Sequence, residues 1–105
     1  ELPDALKELF CRYNKLSKLP ELPNTLNVLY CNYNTLTELP ELPNTLNVLF
    51  CGDNNIQYIS RNNYEIMKKI YFNYNDSYYQ HISIYNNPFY DNTDSTNYGE
   101  FFSEL

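Results

Sequence analysis

Residues 24–38 read NTLNVLYCNYNTLTE, and twenty positions further on residues 44–58 read NTLNVLFCGDNNIQY. The stretch DALKELFCRYNKLSK at residues 4–18 has the same skeleton. Cys11, Cys31 and Cys51 mark the phase, with both intervals equal to twenty (31 − 11 and 51 − 31). A period in the twenties is the signature of a chain that winds in stacked turns, each packing on its neighbours. Every residue of the unit then belongs to a column.

One unit defines the columns. Leu26, Leu29, Cys31, Asn34 and Leu36 form leucine-x-x-leucine-x-cysteine-x-x-asparagine-x-leucine. Leu6, Leu9, Cys11, Asn14 and Leu16 precede them in phase, and Leu46, Leu49, Cys51, Asn54 and Ile56 follow. The alternation at Leu29-Tyr30-Cys31 has a period of two, which predicts a short strand with Leu29 and Cys31 inward and Tyr30 outward. Successive strands are expected to stack in parallel about 4.8 Å apart. The return segment Leu39-Pro40-Glu41-Leu42-Pro43 suits an extended, polyproline-like crossing, because proline fixes φ and offers no ladder donor. Asn14, Asn34 and Asn54 stand where the chain leaves the strand. An amide both donates and accepts, so a stacked asparagine can satisfy backbone groups that the turn leaves open.

This pattern resembles the leucine-rich repeat family, in particular its short twenty-residue class found in secreted bacterial effectors. Both the strand consensus and the Leu-Pro-Glu-Leu-Pro returns at 19–23 and 39–43 carry the resemblance, which covers residues 1–59 closely. The composition, rich in Asn, Tyr and Ile, is also similar to leucine-rich repeat proteins of giant DNA viruses. The resemblance implies a repeat solenoid with short parallel strands on its concave face and extended convex segments. It also implies one irregular, helix-containing repeat and a C-terminal cap. Residues 1–89 are read as the solenoid and 90–105 as the cap.

Beyond Ile59 the regular spacing is lost. Ser60 is placed to cap a short helix over residues 61–67, leading to a strand at Ile70-Tyr71-Phe72. Met67, Ile70, Phe72 and Asn75 repeat the consensus one residue late, since 75 − 54 is 21. Tyr79, Ile82, Ile84, Asn87 and Phe89 match it again only twelve residues later (87 − 75), which demands a tight crossing or a different register. Asn87-Pro88-Phe89 resembles the asparagine-proline ending common in the last leucine-rich repeat before a cap. Glu1-Leu2-Pro3 is in phase with Glu21-Leu22-Pro23, so the chain is expected to begin inside a repeat, with a natural N-terminus upstream.

Composition narrows the functions. A formal charge of −6 without a run of lysine or arginine lacks the footprint of a nucleic-acid binder. No stretch of about 18 apolar residues is present to cross a membrane. The three cysteines and His81 are too widely spaced for the paired ligands of a zinc site, and side chains that stack in parallel point the same way, which disfavours disulfides. Cys11, Cys31 and Cys51 are read as small apolar fillers. Reduced cysteines point to a cytoplasmic setting, that of a host cell if the chain is viral or an effector.

The effectors that this chain resembles often carry a separate ubiquitin-ligase domain with a cysteine-x-aspartate nucleophile motif. Cys51-Gly52-Asp53 fits those letters, but it aligns with Cys11-Arg12-Tyr13 inside the repeat, so the activity is not carried over. Asn75-Asp76-Ser77 matches a glycosylation sequon, while Asn75 also falls on the inward asparagine position. No nucleophile and base stand at a recognisable spacing, and no cofactor motif is present.

What remains is the outward face of the strands. Phe10, Tyr30, Phe50 and Tyr71 share one expected column, and Tyr13, Tyr33, Asp53 and Tyr74 another, with Arg12, Asn32, Gly52 and Asn73 between them. Large aromatics on an open face supply contact area at small entropic cost. Aromatics also favour strands and stack on each other, which is the structural account of the same pattern. The expected function is recognition of another protein through Phe10, Arg12, Tyr13, Tyr30, Asn32, Tyr33, Phe50, Asp53 and Tyr71. A glycan stacked on the tyrosines, or a role as the substrate-reading part of a larger effector such as a ubiquitin ligase, are the alternatives.

Overall fold

A computed structural model describes residues 2–74 and 78–91. Three strands, β1 (Glu8–Phe10), β2 (Val28–Tyr30) and β3 (Val48–Phe50), begin one residue before the expected triplets, so that Cys11, Cys31 and Cys51 lie just past the strand ends. They pair in parallel with a constant shift of twenty, Leu9 opposite Leu29 and Leu29 opposite Leu49. A helix, α1 (Arg61–Tyr74), follows, then a fourth strand β4 (Ile82–Ser83) and a short helix α2 (Pro88–Asp91). β4 pairs in parallel with β3, Leu49 opposite Ile82, so the sheet order is β1-β2-β3-β4. The radius of gyration, 12.9 Å, is that of a compact chain.

The core is the set of columns that the repeat defines. Leu26, Leu29, Leu36, Leu46, Leu49 and Ile56 are fully buried, with Cys31 and Cys51 between them. Burying one such leucine contributes about 1.5–3 kcal/mol. The first repeat is the exception, since Leu6, Leu9, Cys11 and Leu16 are only half-buried. Among the described residues they pack against the core from one side, through the pairing of β1 with β2. The returns contain no helix or strand, and each turns just after its second proline, where the Leu26 N–H donates to the Pro23 carbonyl (3.2 Å) and Leu46 to Pro43 (3.1 Å).

Asparagine ties one repeat to the next. The Asn34 amide donates to its own Cys31 carbonyl (3.0 Å) and to Cys11 of the repeat before (3.1 Å), while its Oδ1 accepts from the Leu16 N–H (3.0 Å). Asn54 makes the same three bonds, to Cys51, Cys31 and the Leu36 N–H (3.1, 3.1 and 2.9 Å). Asn87 repeats them with Ile84, Cys51 and Ile56 (3.1, 3.0 and 3.1 Å), which makes it the fourth member of the column. Asn75, expected in that place, lies outside the described residues, and the step from Asn54 to Asn87 is 33 (87 − 54) rather than 21. The thirteen extra residues accommodate α1.

The strand expected at Ile70-Tyr71-Phe72 is helix instead. Ser60 caps it as anticipated, its Oγ accepting from the Asn63 N–H (3.1 Å). No proline or glycine then interrupts residues 61–74, and Asn63, Tyr64, Ile66, Met67 and Ile70 form one buried face. That 3.6-residue periodicity, anchored on the core, outweighs the three-residue alternation at its end. Tyr71 is therefore half-buried on α1, and the residues expected in the adjoining columns, Asn73 and Tyr74, are also on the helix. α1 also holds the third return, because Asn63 accepts from the Leu42 N–H (2.8 Å) and donates to the Pro40 carbonyl (3.0 Å). Of the cap expected over residues 90–105, only Tyr90 and Asp91 are described, both in α2, and residues 92–105 lie outside the described set.

The bonding pattern separates two asparagines that the sequence treats alike. Asn34→Ala leaves the Leu16 N–H without its acceptor, while the Cys11 and Cys31 carbonyls each lose one of two amide donors and keep Asn14 and Asn54, so unfolding free energy should fall by about 1–3 kcal/mol. Asn14 is exposed, and among the described residues its side chain bonds only within its own turn, to the Cys11 and Arg12 carbonyls (2.9 and 3.1 Å), so Asn14→Ala should cost much less. Urea denaturation of the two variants gives the comparison.

Candidate binding face

Outward residues of the strands form the columns that the repeat predicts, as far as β3. Phe10, Tyr30 and Phe50 stack in sequence, with ring centroids 4.9 and 4.5 Å apart. Tyr30 and Phe50 are nearly parallel, at 10°, and Phe10 is tilted from Tyr30 by 37°. Tyr71 does not continue this column. Ser83 takes the fourth position, opposite Phe50. The pairings shift by 33 at this step because α1 intervenes, so the aromatic set expected from a twenty-one-residue step ends at Phe50.

The second column begins with Tyr13 and Tyr33, stacked at 4.6 Å and 7°. Asp53 and then Asn86 complete it, the Asn86 amide donating to Asp53 Oδ1 at 2.7 Å. All four have left-handed backbone, with φ of 59°, 59°, 57° and 60°. The chain needs this conformation to turn away from the strand after each Cys-phase residue. Asparagine and aspartate adopt it readily, whereas a bulky side chain meets a steric cost of about 1–2 kcal/mol. Sequence reasoning missed this shared geometry, although the pairs Tyr-Asn, Asp-Asn and Asn-Asn just before each ladder position carry its trace. The Asp53 carboxylate, and after it Tyr13, pushes the Tyr33 phenol above its ordinary pKa.

Arg12 joins the columns. Its guanidinium lies 5.5 Å from the centre of the Tyr30 ring and 5.7 Å from that of Tyr13. Asn32, next in the same column, is half-buried, and its Oδ1 is hidden without a hydrogen-bond partner. Such an acceptor costs about 1–3 kcal/mol. Gly52 follows, and here the small residue is required: a Cβ would meet the Tyr85 carbonyl oxygen at 3.0 Å and its nitrogen at 3.4 Å. The absence of a side chain lets β4 close on β3 after its long detour.

Stacking decides what a visitor meets. Tyr30 lies between the Phe10 and Phe50 rings, which take up both of its flat surfaces, while Tyr33 stacks on Tyr13 on one side and meets Asp53 on the other. An open flat surface remains at the start of each column, where Phe10 is 61% and Tyr13 67% exposed, against 45% for Tyr33. The expected contact residues Phe10, Arg12, Tyr13, Tyr30, Asn32, Tyr33, Phe50 and Asp53 thus lie in adjoining columns, and Tyr71 lies apart from them.

The cysteines line the opposite side of the strands. All three are free thiols, with Cys31 and Cys51 fully buried and Cys11 half-buried. Burial pushes the Cys51 thiol up to about 12, and burial followed by its neighbours Cys51 and Cys11 raises Cys31 well above the ordinary range. Cys51-Gly52-Asp53 therefore holds no thiolate near neutral pH. His81 stacks on Tyr74 at 4.1 Å, and its Nδ1 lies 3.3 Å from the Asn47 carbonyl. Among the described residues there is no cluster of His, Cys, Asp or Glu able to hold a metal ion. No described helix is long and apolar enough to cross a membrane.

Since the thiolate is the reactive form, alkylation of the native chain should go to Cys11 first and accelerate there as pH rises from 7 to 9. Cys31 and Cys51 should react only on unfolding, and peptide mapping after a brief iodoacetamide pulse distinguishes the sites. Neither the protein-family models nor the curated proteins compared with this chain match it.

Proposed function

We propose that this chain is a leucine-rich repeat solenoid acting as a non-enzymatic interaction module, whose aromatic face recognises another protein. The observation that carries the reading is the pair of adjoining aromatic columns, in which Phe10, Tyr13 and Tyr33 are exposed and Tyr30 and Phe50 half-buried, bridged by Arg12. Two features of the face are costly for folding: bulky left-handed residues at Tyr13 and Tyr33, and the partnerless acceptor of Asn32. Departures from local rules of this kind concentrate where a surface serves a ligand. The leucine, cysteine and asparagine columns account for the solenoid reading, in which the repeat supplies a rigid frame and the outward residues supply specificity.

Edge-on rings favour a polypeptide over a sugar as the ligand. A pyranose stacks on a flat aromatic surface, and Tyr30, between Phe10 and Phe50, has spent both of its own on neighbours. Ring edges carry partial positive charge and meet carbonyl oxygens or the faces of other aromatic side chains. The phenol groups and Arg12 add donors suited to backbone carbonyls.

The test is affinity capture with the intact chain from its native host, with the partner identified and binding then measured using the purified pair. Phe10→Ala, Tyr30→Ala and Phe50→Ala together should reduce affinity at least tenfold, the loss of about 1.4 kcal/mol. Far-UV circular dichroism and Tm should change little in the same variant. Unfolding of the triple variant would show that the column is structural, and binding to free oligosaccharides that Tyr13→Ala alone abolishes would favour a glycan instead.

A further inference from the structure

The third layer breaks the aromatic pattern of the face. Val48, Phe50, Gly52 and Asp53 stand where the second layer has Val28, Tyr30, Asn32 and Tyr33, and the first Glu8, Phe10, Arg12 and Tyr13. The pairing of Phe50 with Ser83 makes His81, Ser83, Tyr85 and Asn86 the fourth layer. Asp53 thus puts a carboxylate in place of a ring, and Gly52 removes the side chain beside it. β3 is paired with β2 on one side and β4 on the other, so this part of the face is interior to the sheet.

That carboxylate is fixed and lacks a cation. The Asn86 amide donates to Asp53 Oδ1 at 2.7 Å, the Tyr33 phenol borders it, and both of these neighbours are neutral. An ionised carboxylate accepts about four hydrogen bonds, so acceptor sites remain. Asp53 is half-buried, and among the described residues no cation pairs with it. The other charged groups of the face are Glu8, Arg12 and, past the turn, Lys15, all in the first layer, two strand spacings or about 10 Å away. The fourth layer adds the titratable His81, which is stacked on Tyr74.

The neighbouring ring is half-used as well. Phe50 stacks on Tyr30 through one flat surface, while on its other side the column continues with Ser83, which has no ring to lay against it. Arg12 shows how a guanidinium lies among these columns, over the Tyr30 and Tyr13 rings at 5.5 and 5.7 Å. The residue of the third layer in phase with Arg12 is Gly52, itself buried, so Phe50 and Asp53 flank a position from which no side chain projects.

We propose that Phe50 and Asp53 form a subsite for an arginine side chain of the partner polypeptide. The subsite rests on the reading of the aromatic face as a protein-binding surface and names what the partner carries. Its guanidinium lies on the second flat surface of Phe50 and turns its N–H fork toward the Asp53 carboxylate. Arginine is selected over lysine because a planar fork pairs with a carboxylate and stacks on a ring at once, whereas an ammonium is a compact, strongly hydrated point charge. The formal charge of −6 favours the approach of a cationic segment.

The probe is a short synthetic peptide alternating arginine with serine, titrated into the 15N-labelled intact chain, with the lysine-serine peptide as comparison. Amide shifts should centre on residues 50–54 and 86, and affinity should fall with added salt. Asp53→Asn keeps a side chain that tolerates left-handed backbone and should weaken binding about tenfold. Phe50→Leu should weaken it too, while Glu41→Gln, which removes a carboxylate from the return at 39–43, should leave it unchanged. Equal binding by the lysine peptide, shifts centred elsewhere, no binding at millimolar peptide, or an Asp53→Asn chain that binds as the parent does would each overturn the subsite. Those outcomes leave the face reading intact, because that reading fails only if the Phe10, Tyr30 and Phe50 variant keeps its captured partner.

Discussion

Backbone groups at the end of each strand set the constraint on which the architecture depends. A chain that leaves a parallel strand after three residues turns while its carbonyls and N–H groups are still near the core, and each unpaired one is costly. One asparagine amide settles three of them at once and does so across two repeats, as Asn34 does with Cys31, Cys11 and Leu16. Leucine burial supplies the larger free energy, but leucines alone do not fix a register. The amide does, because it fits only when its own carbonyl and that of the repeat before are in line.

That constraint also explains why the long detour between β3 and β4 is tolerated. Asn87 recovers the geometry of Asn34 and Asn54 after a step of 33 residues, so the column continues although the period is broken. α1 fills the space on the far side with Ile66, Met67 and Ile70, and Asn63 serves the third return as the turn asparagines serve the strands. Gly52 completes the junction by letting the Tyr85 backbone come close.

The regular half of the fold was legible because its information is local and repeated. Cys11, Cys31 and Cys51 announce the phase, and alternation around Leu29 gives the strand and its inward side. The irregular half was not, because residues 66–75 satisfy two templates at once. Ile70 and Phe72 alternate like a strand, while Asn63, Met67 and Ile70 recur like a helix, and only packing against the third repeat decides between them. Tyr71 was misplaced for that reason, whereas the match at Ile82, Ile84, Asn87 and Phe89 was sound, and only Tyr79, exposed where Leu26 and Leu46 are buried, does not fit its position. The aromatic face was visible as columns of letters. That its rings stand on edge, and that Tyr13 and Tyr33 share left-handed backbone with Asp53 and Asn86, depends on side-chain stacking and φ values that no spacing reveals.

Graded burial has a kinetic side. Among the described residues the third repeat is packed between β2 and β4 and braced by α1, and burial declines from Leu49 and Ile56 to Leu6 and Leu9. Nucleation then belongs with β3 and the helix, from which order spreads along the stack.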